Sequence, residues 1–340
     1  YSRDARATME AHLRLRHRLV PYLYTWARRS VSEGVGPVRP LYHDHPRTLA
    51  AYEHRNTFCF GDLLVVPFTS PLDGATGLGR ELAWLPDGLW YDLPTGRRYE
   101  ATTGGHGRML SLSRPLDRIG VLARAGSVIP LAGSLAEAAG DNPRELEIVV
   151  VPGGSGSFTL EEDDGSAQPG PDRVARTHMA LTWPDTENED GGDAVLRIRL
   201  EGADDVVPDS RMVTVRLLAS RATGAWLGVG DQARRLIVEE VDGDGFTLGA
   251  GTLVRLGELS RQNLVDGVQL VLRGATQSPA DWRREVHEIL DAARVEYLAK
   301  DLAWGAVQRG LPGTALLGEL ESLGLPETLR AAVAEVLPHS

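Results

Sequence analysis

Apolar positions near the start of the chain recur at helical steps. Over residues 4–32, Met9, Leu13, Val20, Leu23, Ala27 and Val31 mark one face at intervals of three, four or seven, and Leu15, Leu19, Tyr22 and Trp26 mark a second. A helix apolar on two sides packs on two sides. Pro21 inside this pattern predicts a kink or a division, and Glu33-Gly34-Val35-Gly36 a stop. The period then shortens. Residues 38–42 predict a short strand, His43-Asp44-His45-Pro46 a polar loop, and the apolar runs 58–61 and 63–67 buried strands. Between residues 84 and 131, aromatic and aliphatic runs alternate with Pro-Asp-Gly, Pro-Thr-Gly and Thr-Gly-Gly groups, which predicts a β-meander. Asp87-Gly88, between Trp84-Leu85 and Leu89-Trp90-Tyr91, has the composition of a tight hairpin turn.

A linker rich in Ala and Gly is expected over 133–142, followed by strands at 146–151, 157–160, 174–181, 194–200 and 213–218. Residues 186–193 form an acidic, glycine-ended loop in this reading, and strands continue to about residue 272. Ser278-Pro279-Ala280-Asp281 carries helix-start chemistry, with Ser278 as the capping side chain. Trp282, Val286, Ile289, Leu290, Ala293 and Tyr297 then share one face. Leu311-Pro312-Gly313 and Gly324-Leu325-Pro326 punctuate two or three shorter helices ending near Leu337.

At 340 residues the chain is long enough for two to four domains. Its net charge of −11 argues against a broad nucleic-acid-binding face. No apolar run approaches the ~20 residues that span a bilayer. The polar opening without Met predicts a piece of a longer protein and no signal peptide. Cys59 is the only cysteine, which excludes an internal disulfide and fits a reducing, cytoplasmic setting.

Candidate chemistry is sparse. Glu161-Glu162-Asp163-Asp164-Gly165 offers four carboxylates to a cation such as Ca²⁺ but lacks alternating ligand spacing, so a strand end with a turn is preferred. His43, Asp44 and His45 follow a strand and could approach a pocket rim, and the two histidines could hold a metal, although no third ligand is evident, so a solvated loop is preferred. Trp84, Trp90, Tyr91 and Trp226 could stack on sugar rings, yet strand aromatics are more often core. Cys59, between two Phe residues, reads as a buried small hydrophobe. Gly153-Gly154-Ser155-Gly156 lacks the Lys-Ser/Thr of a phosphate loop. No catalytic, cofactor-binding or metal residue is assigned.

Several runs occur together in one order: Arg18-Leu19-Val20-Pro21-Tyr22-Leu23-Tyr24-Thr25, Val38-Arg39-Pro40-Leu41, Gly61-Asp62-Leu63-Leu64-Val65-Val66-Pro67, Leu85-Pro86-Asp87-Gly88-Leu89-Trp90-Tyr91-Asp92, Pro115-Leu116-Asp117-Arg118-Ile119, Arg124-Ala125-Gly126-Ser127-Val128-Ile129-Pro130 and Gly156-Ser157-Phe158-Thr159-Leu160-Glu161-Glu162-Asp163-Asp164-Gly165. Taken together, over residues 15–218, the chain resembles the C-terminal part of glycoside hydrolase family 31, the α-glucosidase and α-xylosidase family. The resemblance implies a mainly β chain in four parts. Residues 1–62 would be the last helix and strand of a (β/α)8 barrel, 63–133 a proximal β-sandwich, 144–272 a distal β-sandwich and 278–340 a small helical extension. It implies a retaining mechanism with two carboxylates. It places both, with a substrate-binding histidine, upstream of the helix that carries Pro21-Tyr22-Leu23-Tyr24. The expected function is therefore the accessory region of an α-glycosidase that takes an oligosaccharide or glycoside without a cofactor. A non-catalytic carbohydrate-binding β-sandwich module is the alternative.

Overall fold

The computed structural model describes residues 2–338 apart from 103, 134–140, 168, 186–190, 229, 231–232 and 279–280. Most of the expected linker, most of the acidic loop and the Pro279-Ala280 pair lie outside the described residues.

Two helices open the chain, α1 (Arg3–Arg18) and α2 (Val20–Ser32). The division falls at Leu19, because Pro21 occupies the first turn of α2, where its missing N–H is tolerated. Then come β1 (Val38–Pro40), α3 (Leu41–Asp44), α4 (Leu49–Glu53), β2 (Phe58–Phe60), β3 (Leu63–Val66), β4 (Gly79–Leu85), β5 (Leu89–Asp92), β6 (Arg98–Glu100), β7 (Arg108–Arg114), β8 (Gly120–Arg124) and β9 (Val128–Ala132). A further series follows: β10 (Glu145–Val150), β11 (Gly156–Asp163), β12 (Val174–Thr182), β13 (Gly192–Gly202), β14 (Ser210–Leu218), β15 (Ser220–Arg221), β16 (Gly224–Leu227), β17 (Arg234–Leu236), β18 (Val238–Val241) and β19 (Gly251–Ser260). The chain ends with α5 (Arg261–Asp266), β20 (Val268–Gln277), α6 (Trp282–Ala292), α7 (Tyr297–Gln308), α8 (Gly313–Ser322) and α9 (Glu327–Val336).

The strands form a six-stranded sheet in the order β1-β2-β3-β8-β5-β6, a two-stranded ribbon β4-β7, a five-stranded sheet β18-β19-β14-β10-β9, and a seven-stranded sheet β11-β12-β13-β20-β16-β17 with β15 beside β20. This corrects two expectations. Residues 84–131 are not a meander, since β8 inserts between β3 and β5. Asp87-Gly88 is not a hairpin turn, since β4 pairs with β7 and β5 pairs with β6 and β8. The φ of +138° at Gly88 instead lets the chain change sheets. The Pro94-Thr95-Gly96 turn does close a hairpin, β5 to β6. The strand expected over 38–42 stops at Pro40 and runs into α3, so His43 and Asp44 sit on a helical turn rather than in a loop.

The six-stranded sheet is buried on both faces. Leu64, Trp90 and Leu122 face the β4-β7 ribbon and form one core with Leu85, Tyr99 and Leu112. Leu63, Tyr91 and Ala123 face the other way, into the core shared by the five- and seven-stranded sheets. Alternate residues of one strand thus serve two cores.

Helix α2 docks by the face that carries Tyr22 and Trp26. The Tyr22 ring stacks on Phe158 at 5.3 Å. The Thr25 hydroxyl accepts a hydrogen bond from the backbone N–H of Glu161 at 3.0 Å and donates to the Pro21 carbonyl. The helix therefore satisfies part of the free edge of β11, which would otherwise be open for pairing. The other apolar face of the helix pair is more open: Met9 and Leu13 of α1 are 46% and 57% exposed, Val31 of α2 is 88% exposed, and Val20 and Leu23 are half-buried. The two apolar faces read from the sequence are both present, and one is covered.

Helices α6–α9 enclose their own core of Val286, Leu290, Val307, Leu316, Leu320, Leu329 and Val333. The side chain that starts α6 is Asp281, which accepts from Arg284 N–H at 3.1 Å, and not Ser278, whose N–H continues the backbone pairing to Ala219. A buried ion cluster joins this bundle to the β region. The Glu335 carboxylate accepts from Arg97 at 2.7 Å, Arg114 at 2.6 Å, the Tyr99 hydroxyl at 2.6 Å and Ser113 N–H at 2.6 Å. Arg97 also pairs with Glu285 at 2.8 Å and Arg114 with Asp92 at 3.1 Å.

Candidate functional site

Three of the sequence runs converge on one place. Gly61 has a φ of +60° and lies so close to α2 that a Cβ there would stand 2.2 Å from the Tyr22 hydroxyl. That hydroxyl accepts from Asp62 N–H at 2.7 Å and donates to the Phe60 carbonyl at 3.2 Å. Arg39, buried at the base of β1, donates to the carbonyls of Gly36 at 3.0 Å and Gly61 at 3.1 Å. It pairs with Asp44 at 3.0 Å and stacks over the Trp26 ring at 5.0 Å. The Tyr22 helix, the Arg39 strand and the Gly61-Asp62 turn thus fix one another. Each group is matched by a partner only if all three runs are present.

Beside this knot opens a cleft of about 530 Å³, lined among others by Asp44, His45, Cys59, Asp62, Trp84, Asp87, Trp90, Arg124 and Ser155. It lies between the β4-β7 side of the molecule and the start of β11. The surrounding walls partly desolvate the Asp62 carboxyl and raise it above the usual carboxylate range, although the nearby Arg29 and Arg39 charges pull the other way. Burial also disfavours charge on Asp44, but hydrogen bonds from Arg39 and His43 outweigh it and hold that carboxyl low. Burial lowers His45, whose ring stands perpendicular to Trp84 at 5.2 Å, so it is neutral at pH 7. The two carboxyls thus differ: burial raises Asp62, whereas Asp44 is committed to Arg39.

The other candidates fall into place physically. Cys59 is half-buried, and burial with the neighbouring Asp44 charge pushes its thiol up to about 12, far from a reactive thiolate. Trp84, Trp90 and Tyr91 are buried core residues. The indole N–H of Trp84 goes to the His106 carbonyl at 3.1 Å and that of Trp90 to Pro86 at 2.8 Å. Trp226 is different, half-buried between Arg273 and Arg235. Each carboxylate of the acidic cluster has an arginine: Glu161 pairs with Arg28 and Arg176, Glu162 with the buried Arg211, Asp163 with Arg28 and Asp164 with Arg173. Tyr24 donates a further hydrogen bond to Asp163. The glycine run 153–156 serves close approach: a Cβ on Gly156 would stand 2.5 Å from the Gly126 carbonyl. His43 points its ring to Asp44 at 3.1 Å, and among the described residues no cluster of three His, Cys, Asp or Glu has metal-site geometry. Asp62 and Arg39 were not singled out from the sequence, although both stand inside the runs that carried the resemblance.

Residues 34–129 match the family model described as glycosyl hydrolase family 31 C-terminal domain. An α-xylosidase of Saccharolobus solfataricus is 30% identical over 165 residues, 48% of this chain and 22% of the relative. Lysosomal α-glucosidase of Mus musculus is 26% identical over 221 residues, 60% of this chain and 22% of the relative. Among solved structures, the family 31 dextranase of Flavobacterium johnsoniae, in complex with isomaltotriose, shares the fold with a TM-score of 0.62. Its identity is 18%, and the match covers 80% of this chain and 33% of that one. This chain therefore spans about a fifth of the two relatives and a third of the dextranase. The family motifs, the knot they build and these matches lead to one identification: residues 34–129 are a glycosyl hydrolase family 31 C-terminal domain.

Proposed function

We propose that the chain is the accessory C-terminal region of a retaining α-glycosidase that hydrolyses α-linked glucosides or xylosides. In this reading the nucleophile and the acid/base lie upstream, ~5 Å apart across the scissile bond, as a retaining mechanism requires. Helices α1 and α2 end the catalytic barrel. The Tyr22–Arg39–Asp62 knot locks that end to the β region and so holds the barrel rim in place. The observation that carries the proposal is the half-covered N-terminal helix pair. Its inner face is bound to β11 by Tyr22 and Thr25, and its outer face presents Met9, Leu13 and Val31 to whatever packs there. A freestanding carbohydrate-binding module would have no use for such a face. The relatives' names, α-xylosidase and α-glucosidase, support the substrate class. The single cysteine supports a cytoplasmic setting.

The test is turnover of aryl α-glucosides and α-xylosides by this chain and by the protein extended upstream to the length of its relatives. The extended protein turns over and this chain does not. Turnover by this chain that is lost on Asp62→Asn would place the chemistry in the cleft and overturn the assignment.

A further inference from the structure

The outward face of the seven-stranded sheet departs from the charge of the rest of the molecule. Side chains alternate across a sheet, and the outward positions of β12, β13, β20 and β17 include Arg176, Arg197, Arg199, Arg273, Arg235 and His178. Among the described residues the carboxylates on this face are Glu161, Asp193 and Glu201, so the described strands carry an excess of positive charge in a chain of net charge −11. Its centre is a cross-strand row. Val195 pairs with Val271, Val271 with Trp226 and Trp226 with Arg235. Four strands at ~4.8 Å spacing make this row about 14 Å long.

Trp226 organises the row. Its six-membered ring covers Gly224, where a Cβ would stand 2.4 Å away. The Arg273 guanidinium lies 4.5 Å from the ring centre and that of Arg235 lies 5.7 Å away. Stacking on an indole holds each guanidinium plane in place and leaves its N–H edge free. Arg273 reaches only Asp193, at 4.0 Å, and Arg197 donates to the neutral Gln269 at 3.1 Å. Arg235 and Arg197 have no carboxylate partner among the described residues.

We propose that this face binds an acidic saccharide, a glycan carrying uronate carboxylates, with Arg197, Arg235 and Arg273 receiving the carboxylates and Trp226 as the positioning residue. Planar guanidinium forks match carboxylates in two-point contacts. The Val195–Val271–Trp226 row offers a shallow apolar track for the C–H faces of the rings between them. An extended peptide would pair with a sheet edge, where backbone groups are free, rather than lie on a face. The choice of a saccharide rests on the glycosidase reading above; the choice of an anion rests on the arginines alone.

The test is calorimetric titration of the whole chain with an α-linked oligogalacturonate, with isomaltotriose and oligoglutamate as the comparison probes. The oligouronate binds, isomaltotriose does not, oligoglutamate binds more weakly, and added salt weakens binding. Arg273→Gln and Arg197→Gln each raise Kd about tenfold, the effect of losing one charge-assisted contact. These side chains are solvent-exposed, so the variants fold, which the unfolding midpoint checks. Absence of heat with oligouronate, equal affinity for isomaltotriose or oligoglutamate, or variants that bind like the parent chain would each overturn the proposal. Turnover of aryl glycosides by the extended protein is read separately, so failure of the glycosidase reading shows there and not in this titration.

Discussion

The two ends of the chain are both helical and are stabilised in opposite ways. At the C-terminal end, α6–α9 bury their own apolar core and meet the β region through ions. At the N-terminal end, α1 has no buried residue, and α2 buries one side against β11 while its other side remains apolar and open. A helix group that closes its own core can be attached anywhere by a few polar contacts. A helix pair that does not is half of an interface. The difference sets a C-terminal bundle with its own core against an N-terminal pair that leaves an apolar face open, the face that the proposed function assigns to the barrel.

The largest expected effect is at the C-terminal attachment. Glu335→Ala strips the carboxylate from Arg97 and Arg114 and leaves buried cations unpaired, at a cost of about 3–5 kcal/mol in chemical denaturation. The same group sets an acid limit. Burial opposes its charge, but Arg114 and Arg97 outweigh burial and hold its carboxyl below the ordinary range. A depressed carboxyl contributes its full stabilisation above the ordinary glutamate value of about 4.3, and loses it as pH falls through the folded value. Acid unfolding of Glu335→Gln is therefore shallower than that of the parent chain below about pH 4.3. An identical acid limb in both would remove Glu335 from the account.

Next in size is Leu320→Ala in the bundle core, which costs about 2–5 kcal/mol through lost burial and a cavity. Smaller again is Arg28→Ala. Arg28 bonds Asp163 at 2.6 Å and Glu161 at 3.2 Å from a partly exposed position, so about 1 kcal/mol is expected. Its loss loosens α2 from β11 without touching α6–α9, which proteolysis of the two ends separates. The paired substitution Leu13→Ser and Val31→Ser changes stability by no more than about 0.5 kcal/mol. It makes the chain less prone to self-associate, as sedimentation velocity reads. Ca²⁺ shifts the unfolding midpoint least of all: the carboxylates of Glu161, Glu162, Asp163 and Asp164 already hold arginines, and binding to the folded state would have to raise the midpoint.

The sequence was most legible where periodicity and burial coincide. The strands from β10 to β14 follow their apolar alternation closely, since each has one face in a core. The two faces of the N-terminal helices were visible for the same reason, and Pro21 marked their division. Sheet membership was not legible. Asp87-Gly88 has hairpin composition, but what pairs with β5 is decided by β8, some thirty residues later in the chain. Helix α5 was missed, although Ser260 and Asn263 form a capping box that a local reading could have found. The Glu335 cluster brings together residues more than 200 positions apart, and no local pattern encodes it. The Tyr22–Arg39–Asp62 knot was present only as three runs in order; that they touch is a tertiary fact.

Amide hydrogen exchange on this chain and on the protein extended upstream tests the contrast between the two ends most directly. Residues 3–18 are expected to exchange rapidly here and to become strongly protected in the extended protein, while residues 282–336 are equally protected in both. Equal exchange of residues 3–18 in the two proteins would contradict it, because the open face of the N-terminal helices would then have no partner to wait for.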